Sequence, residues 1–180
     1  MNLKLKSILL INLKMEKAKY ESQIKMIAAP VETVYSVLSN LENLRPIIDA
    51  STNNPAVAEK IREAGQDPSL LEKLKDVELS ADRVAVPVPM MGTLAMNIIE
   101  REENKCIKFG TEQMPVDANL WIQVLPTSEV TTPDGALGCK LRLTLKAELN
   151  MMMKMMLGNK LEKGVDGFAD LLAKLPYGIM

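Results

Sequence analysis

The sequence predicts a single α+β domain in which a long C-terminal helix lies across a curved antiparallel sheet. Three patterns support this prediction: an opening strand followed by a helix, several segments in which apolar and polar residues alternate, and a final apolar run with helical spacing. A chain of 180 residues is long enough for one domain with a substantial core. We expect residues 15–180 to form this domain, and residues 1–14 to be an N-terminal extension that need not belong to it.

The opening unit is predicted to be a strand, a tight turn and an amphipathic helix. Residues 17–28 alternate between apolar and polar, with Met26 on the side expected to face the core. Pro30 suits the first position of a helix, where its missing N–H would be unpaired anyway. Apolar residues then recur at helical spacing up to Arg45 and Pro46, which are expected to end or bend the helix.

A short helical insertion over about residues 47–75 is predicted between this unit and the remaining strands. After it the hydrophobic period changes to two, most clearly from Cys139 to Glu148. Short turns such as Pro133-Asp134-Gly135 join the segments. Strands joined in this way form an antiparallel meander with one apolar and one polar face.

The last segment is predicted to be a helix that Asn150 caps and Pro176 ends. Gly164 falls within its apolar stripe, so we expect this glycine to allow close approach to the sheet. Five methionines crowd the start of the helix, and helical phase directs Met152 and Met155 away from the sheet. We expect a loop or the extension to cover them; the alternative is an exposed patch for a partner or a membrane surface.

The composition excludes several classes of function. The chain has no histidine, which rules out Ser-His-Asp and Cys-His catalysis and most zinc sites. A net charge of −1 gives no basic surplus for nucleic acid. Cys106 and Cys139 form neither a metal motif nor a disulfide framework, and no apolar run is long enough to span a membrane. We therefore expect a cytoplasmic protein without metal or cofactor.

The order of these elements resembles the helix-grip fold of the START/Bet v 1-like superfamily, also called SRPBCC. The resemblance lies in Ile24–Leu44, Gly92–Phe109 and Leu141–Tyr177, and it is nearest to small, uncharacterised bacterial members called polyketide cyclase-like. It implies a sheet curled around the last helix and a site for a small hydrophobic ligand between them. Members include lipid carriers, hormone binders, cyclases and aromatases, and no motif here selects one.

The apolar side of each strand and of the last helix gives the lining expected for this site. The predicted ligand-binding residues are Met26, Leu94, Met96, Ile98, Phe109, Leu120, Ile122, Leu143, Leu145, Met153, Leu157, Leu161 and Phe168. The inward polar groups are Tyr20, Ser22 and Thr111, which offer no acid–base pair. Binding of a small hydrophobic or amphipathic molecule is therefore favoured over catalysis, and no catalytic residue is assigned. A core filled by leucine and methionine is the alternative.

Two other functions stay open at this point. A cyclase or aromatase would need Tyr35, Arg83 or Glu100 to converge at the mouth of the site. An interaction module would use Trp121, which falls on the polar side of its strand, or the methionine cluster. The chain is accordingly expected to be a monomer or a weak homodimer.

Overall fold

An antiparallel sheet of eight strands is the main layer of the computed structural model, which describes residues 2–7, 14–63, 65, 69–88, 92–112 and 116–179. The strands follow the order β1-β8-β7-β6-β5-β4-β3, and β2 pairs with β8 beside β1. Their bounds are β1 Glu16–Glu21, β2 Lys25–Ile27, β3 Glu78–Leu79, β4 Arg83–Val88, β5 Gly92–Glu102, β6 Cys106–Thr111, β7 Ala118–Thr131 and β8 Leu137–Leu149. The predicted meander is confirmed, with a short extra strand, β3, at its edge.

Helices precede the meander and close the chain. The α-helices are α1 Val31–Leu38, α2 Arg45–Thr52, α3 Pro55–Glu63, α4 Ser69–Lys75 and α5 Met151–Ala173, with 3-10 helices at Leu41–Leu44 and Tyr177–Ile179. The predicted helical insertion therefore consists of α2, α3 and α4. The fold class is as predicted: a curved antiparallel sheet, a long C-terminal helix and short helices after the first strand–helix unit.

The opening strand is interrupted between β1 and β2, and the interruption reverses which of its side chains face the core. Ser22 and Leu143 exchange two hydrogen bonds of 2.9 Å, whereas Lys25 is already opposite Leu141. From Ser22 to Lys25 the opening strand advances by three residues, whereas β8 advances by only two, from Leu143 to Leu141. This one extra residue reverses the face of the sheet to which the following side chains point. The prediction that Met26 faces the core is wrong: Met26 lies on the outer face and is 42% exposed, while Lys25 and Ile27 point inward.

Lys25 ties the last helix to this edge of the sheet. Its Nζ lies 3.1 Å from Asp166 and 3.0 Å from Asp170 of α5, and only 15% of its side chain is exposed. The backbone N–H of Gln23 donates a 2.8 Å hydrogen bond to the same Asp166 carboxylate. Burial alone would lower the pKa of Lys25, but its hydrogen bonds to the two carboxylates raise it overall. The N–H of Gln23 and the ammonium of Lys25 hold the pKa of Asp166 below its usual range.

The first helix ends earlier than predicted. It stops at Ser39, and Asn40 caps a 3-10 helix by accepting a hydrogen bond from the N–H of Glu42. Pro46 then lies in the first turn of α2, where a missing N–H is tolerated, so this proline begins a helix instead of ending one. On the other side of Ser39, Arg101 of β5 donates hydrogen bonds of 3.0 and 2.8 Å to the Ser39 carbonyl oxygen and fixes the end of α1.

The local predictions for caps and glycines are confirmed in part. Asn150 caps α5 by accepting a 2.8 Å hydrogen bond from the N–H of Met153, as predicted. Gly135 has a φ of 87° in the turn between β7 and β8. The prediction for Gly164 is wrong: a Cβ there would have no neighbour within 4 Å. The glycine of α5 that approaches the sheet is Gly158, where a Cβ would lie 3.4 Å from the hydroxyl of Tyr20.

Replacing Asp166 tests the link between α5 and the sheet. The variant Asp166→Ala removes one of the two carboxylates on Lys25 and the acceptor of the Gln23 N–H. Because Asp166 is partly exposed, we expect a loss of about 1 kcal/mol in the free energy of unfolding and a fall of about 2–4 °C in Tm. Thermal unfolding followed by circular dichroism measures this. Glu162→Ala, an exposed change on the same helix, is the control, and equal losses in both variants would contradict the assignment.

The same link predicts how stability depends on pH. Asp166 has a folded pKa below its ordinary 3.8, so its contribution is complete above that pH and disappears as the pH falls through the folded value. Lys25 has a folded pKa above 10.5, so its contribution is complete below that pH and lost on the alkaline side. The Tm difference between wild type and Asp166→Ala should therefore be constant from about pH 5 to pH 9 and shrink below about pH 3. A difference that persists at about pH 2 would refute this explanation.

Candidate functional site

The closing helix covers only part of the inner face of the sheet. Helix α5 packs mainly against β8, β1 and β2, which form one side of the sheet. On β5 and β6, the inward residues Ile98, Ile107 and Phe109 are buried in one core cluster with α1. Leu94, nearer the start of β5, is 37% exposed, and we call the region between it and the free flank of α5 the cleft.

One row of small side chains crosses the inner face next to this cleft. Ala18, Ala147 and Ala118 are neighbours across β1, β8 and β7. The row continues to Thr111, whose Oγ1 accepts a 3.1 Å hydrogen bond from the N–H of Ala118, and then to Met96. Ala18 and Ala147, together with Leu149, form a small buried cluster against which Met153 and Leu161 of α5 pack.

The flank of α5 that faces the cleft is set by helical geometry. Asp166 points toward β2, where Lys25 binds it. Successive helical residues turn by about 100°, which places Leu157, Leu161 and Phe168 on the opposite flank, toward β5 to β7. Phe168 is 41% exposed, and Leu94, on the inner side of β5, is 37% exposed. Large apolar side chains thus remain in contact with solvent on both walls of the cleft.

The thirteen residues predicted to bind a ligand fall into three groups in the structure. Those sealed in the main core are Ile98, Phe109, Ile122 and Leu143. Those half-buried beside the core or under α5 are Met96, Leu120, Leu145, Met153, Leu157 and Leu161. Those exposed are Leu94 and Phe168 at the cleft and Met26 on the outer face. The second group, with Leu94 and Phe168, provides the surface that a molecule in the cleft would contact.

One polar group lies buried beside the cleft without a partner. The hydroxyl of Tyr20 has no hydrogen-bond partner among the described residues. Tyr20 is opposite Leu145 on the inner face, and its hydroxyl points toward Gly158 of α5. A buried hydroxyl that lacks a partner costs about 1–3 kcal/mol, and native structures contain few such groups.

The residues considered for a catalytic mouth do not converge. Arg83 lies on the outer face, where Glu112 binds it at 2.8 Å. Glu100 is opposite Lys108 on the same outer face, because the strand is irregular between Ile98 and Glu100. Tyr35 lies on α1 and packs against the main core inside the sheet. A catalytic group built from Tyr35, Arg83 and Glu100 is therefore absent from the part of the chain that the structure describes.

The methionines at the start of α5 are not covered by the described residues. Met155 is 81% exposed, and Met151, Met152 and Met156 are also exposed when only the described residues are considered. Residues 8–13 of the N-terminal extension, part of the segment expected to cover them, lie outside the described residues. Cover by the extension therefore stays a prediction, beside the alternative of an exposed apolar patch.

The described residues also limit other chemistry. They contain no group of three or more histidine, cysteine, aspartate or glutamate side chains that could hold a metal ion. Within the same residues, no helix combines the length and apolar character needed to cross a membrane. Cys139 is buried, Cys106 is half-buried, both are free thiols, and burial raises the pKa of each.

Sequence reasoning misses the features that matter most for the cleft. Simple alternation puts Lys25 on the outer face, because it does not reveal the one added residue in the opening strand. The added residue between Ser22 and Lys25 leaves no signal in the alternation itself, and only the pairing of this strand with β8 reveals it.

Comparisons with known proteins extend only to structure. No family model matches the sequence, and no curated protein sequence matches it. Norcoclaurine synthase from Thalictrum flavum superposes with a TM-score of 0.57 and 14% identity, over 92% of this chain and 90% of that chain. A protein from Rhizobium loti gives a TM-score of 0.52 at 10% identity, over 89% of this chain and 97% of its own.

A third similar structure comes from Thermus thermophilus, with a TM-score of 0.50 and 16% identity over 87% of this chain and 95% of that one. Another structure of the Thalictrum flavum synthase is a complex with dopamine and hydroxybenzaldehyde. At these identities the likeness concerns the fold alone. The chain has the predicted helix-grip fold and shares it with norcoclaurine synthase.

Proposed function

We propose that the protein binds a small hydrophobic or amphipathic molecule in the cleft between the inner face of the sheet and α5. The observation that carries the proposal is the pair of solvent-exposed apolar walls, with Leu94 on one side and Phe168 on the other. Exposed large apolar side chains that face each other across a concave surface are typical of ligand sites.

Half-buried apolar side chains on the inner face support the same proposal. Leu120 and Leu145 pack against the main core but are only partly buried, so they would offer apolar contact to a ligand. Burial of apolar area contributes about 25 cal/mol per Å², so a ligand that covers these side chains would gain affinity mainly from carbon–carbon contacts.

The hydroxyl of Tyr20 gives this apolar site one polar group. A ligand oxygen that accepts a hydrogen bond from Tyr20 would satisfy the hydroxyl and fix the orientation of the ligand. We therefore propose an amphipathic ligand with a hydrogen-bond acceptor in preference to a pure hydrocarbon. Binding without chemistry is favoured over a cyclase or aromatase, because Arg83 and Glu100 lie on the other face of the sheet.

Shortening the apolar walls should weaken binding. The neutral fluorophore 1-N-phenylnaphthylamine should bind saturably to the wild-type protein with an increase in fluorescence. Phe168→Ala and Leu94→Gln should each raise its Kd about tenfold, because each removes apolar contact from one wall of the cleft. Fluorescence titration measures both.

Matched controls use exposed apolar residues outside the cleft. Met155→Ala lies on the same helix as Phe168, and Met26→Gln lies on the outer face of the sheet. Neither should change the Kd by more than about twofold. Saturable binding that Met155→Ala weakens and Phe168→Ala leaves unchanged would overturn the site, and no saturable binding at all would overturn the function.

The role of Tyr20 is tested with two competitors that differ by one acetyl group. In displacement of 1-N-phenylnaphthylamine, 2-acetylnaphthalene should compete better than naphthalene with the wild-type protein. Tyr20→Phe should reduce that preference about three- to tenfold, the effect of one hydrogen bond. The variant should unfold at the same temperature as wild type or higher, because it removes a buried hydroxyl that lacks a partner among the described residues. An unchanged preference would show that the hydroxyl does not contact the ligand.

A further inference from the structure

A second hollow, of about 580 Å³, lies on the outer face of the sheet, opposite the cleft. It exists because Gly110 of β6 carries no side chain between its neighbours Asn97 and Asn119. A Cβ at Gly110 would lie 3.2 Å from Cδ1 of Ile99 and 3.4 Å from Nδ2 of Asn119. The missing side chain thus opens the surface above the backbone of β6 and β7.

Two lysines converge on the tryptophan that borders this hollow. The Nζ of Lys108 lies 5.2 Å from the centroid of the Trp121 ring, and the Nζ of Lys146 lies 5.5 Å from it. Cation–π attraction holds both ammonium groups near the indole. The sequence predicts Trp121 on the polar side of its strand, and the structure confirms that it packs beside lysines there.

These two lysines have no ion-pair partner among the described residues, unlike Lys19 and Lys140 on the same face. Lys19 binds Glu21 at 2.7 Å and Lys140 binds Glu129 at 2.5 Å. Neither Lys108 nor Lys146 has a carboxylate within 4.0 Å in the described part of the chain. Two such positive charges beside one ring create a local potential that attracts an anion.

The opposite end of the hollow has a different charge. Lys17 lies there in register with Glu148, and Asp117 is next to them. The lysine and the two carboxylates give this end a net charge of −1, counting one positive and two negative groups. A ligand with a second acidic group would meet these carboxylates, so the hollow selects for one acidic group per molecule.

We propose that this outer hollow binds a small organic anion with one acidic group and a planar apolar part. The acidic group would accept hydrogen bonds from the ammonium groups of Lys108 and Lys146, and the planar part would lie against Trp121 and the exposed Ile99. The volume falls within the range of small-molecule sites. A second copy of the chain is a poorer occupant, because two-fold pairing of this face would bring lysine toward lysine.

The experiment uses Trp121, the only tryptophan in the chain, as the reporter. Benzoate is titrated into the ¹⁵N-labelled full-length protein while the single indole N–H resonance is followed by NMR. The resonance should shift saturably with benzoate and much less with benzyl alcohol, which lacks the charge, or with acetate, which lacks the ring. Added salt should weaken the binding of benzoate.

Variants locate the site and separate it from the inner cleft. The double variant Lys108→Gln/Lys146→Gln should weaken benzoate binding about tenfold or more, whereas Lys140→Gln, which removes a paired lysine of the same face, should change it less than about twofold. Phe168→Ala in the cleft should leave the benzoate titration unchanged. The proposal is overturned if benzoate produces no saturable shift, if benzyl alcohol binds equally well, or if the double variant binds as wild type does.

Discussion

Two interactions hold the closing helix on the sheet: Val165, Ala169 and Leu172 are buried in the main core, and Lys25 of the edge strand pairs with two aspartates of α5. A lysine on the inner face of an edge strand would be costly if it were unpaired, because its charge is largely removed from water. Asp166 and Asp170 are one helical turn apart, so both can reach the same ammonium group. The helix packs mainly against β1, β2 and β8, whereas the buried inward residues of β5 and β6 share a core cluster with α1.

The two candidate sites lie on opposite faces of the same sheet. On the outer face, Gly110 provides the space beside Trp121. The sites differ in character, because the inner walls are leucine, methionine and phenylalanine, whereas the outer hollow has lysines that no described carboxylate pairs. One sheet can therefore offer an apolar surface on one face and a charged hollow on the other.

The order of secondary-structure elements could be predicted because each has a clear period or cap. The strands around Phe109, Ile122 and Leu143 alternate cleanly, and these residues are buried as that pattern requires. The outcome at Met26 and Lys25 could not be predicted from the same alternation, since one added residue in the opening strand reverses the face of everything after it. The pairing of this strand with β8 fixes its register, and the alternation of residues within the strand does not reveal that register.

The candidate site was predictable in part for a similar reason. The alternation of apolar and polar residues identified Leu94, Met96 and Phe168, which border the cleft. It also selected Ile98 and Leu143, which are buried in the core. This pattern indicates which face of a strand or helix a residue lies on, but it does not indicate whether another helix or strand covers that face. Which inward residues are covered follows from long-range packing of α5 and α1 on the sheet, so a local pattern in the sequence could not reveal it.

Methyl NMR of the methionines tests the central claim most directly, because methionines lie in the cleft, on the outer face and on the exposed start of α5. With ¹³C-methyl methionine and a neutral aromatic ligand such as 2-acetylnaphthalene, ring currents should shift the methyl resonance of Met96, which is half-buried on the inner wall. The resonances of Met26 and Met155 should stay in place, since both point away from the cleft. Shifts confined to Met155 and its exposed neighbours, with Met96 unchanged, would contradict a ligand site between the sheet and the helix.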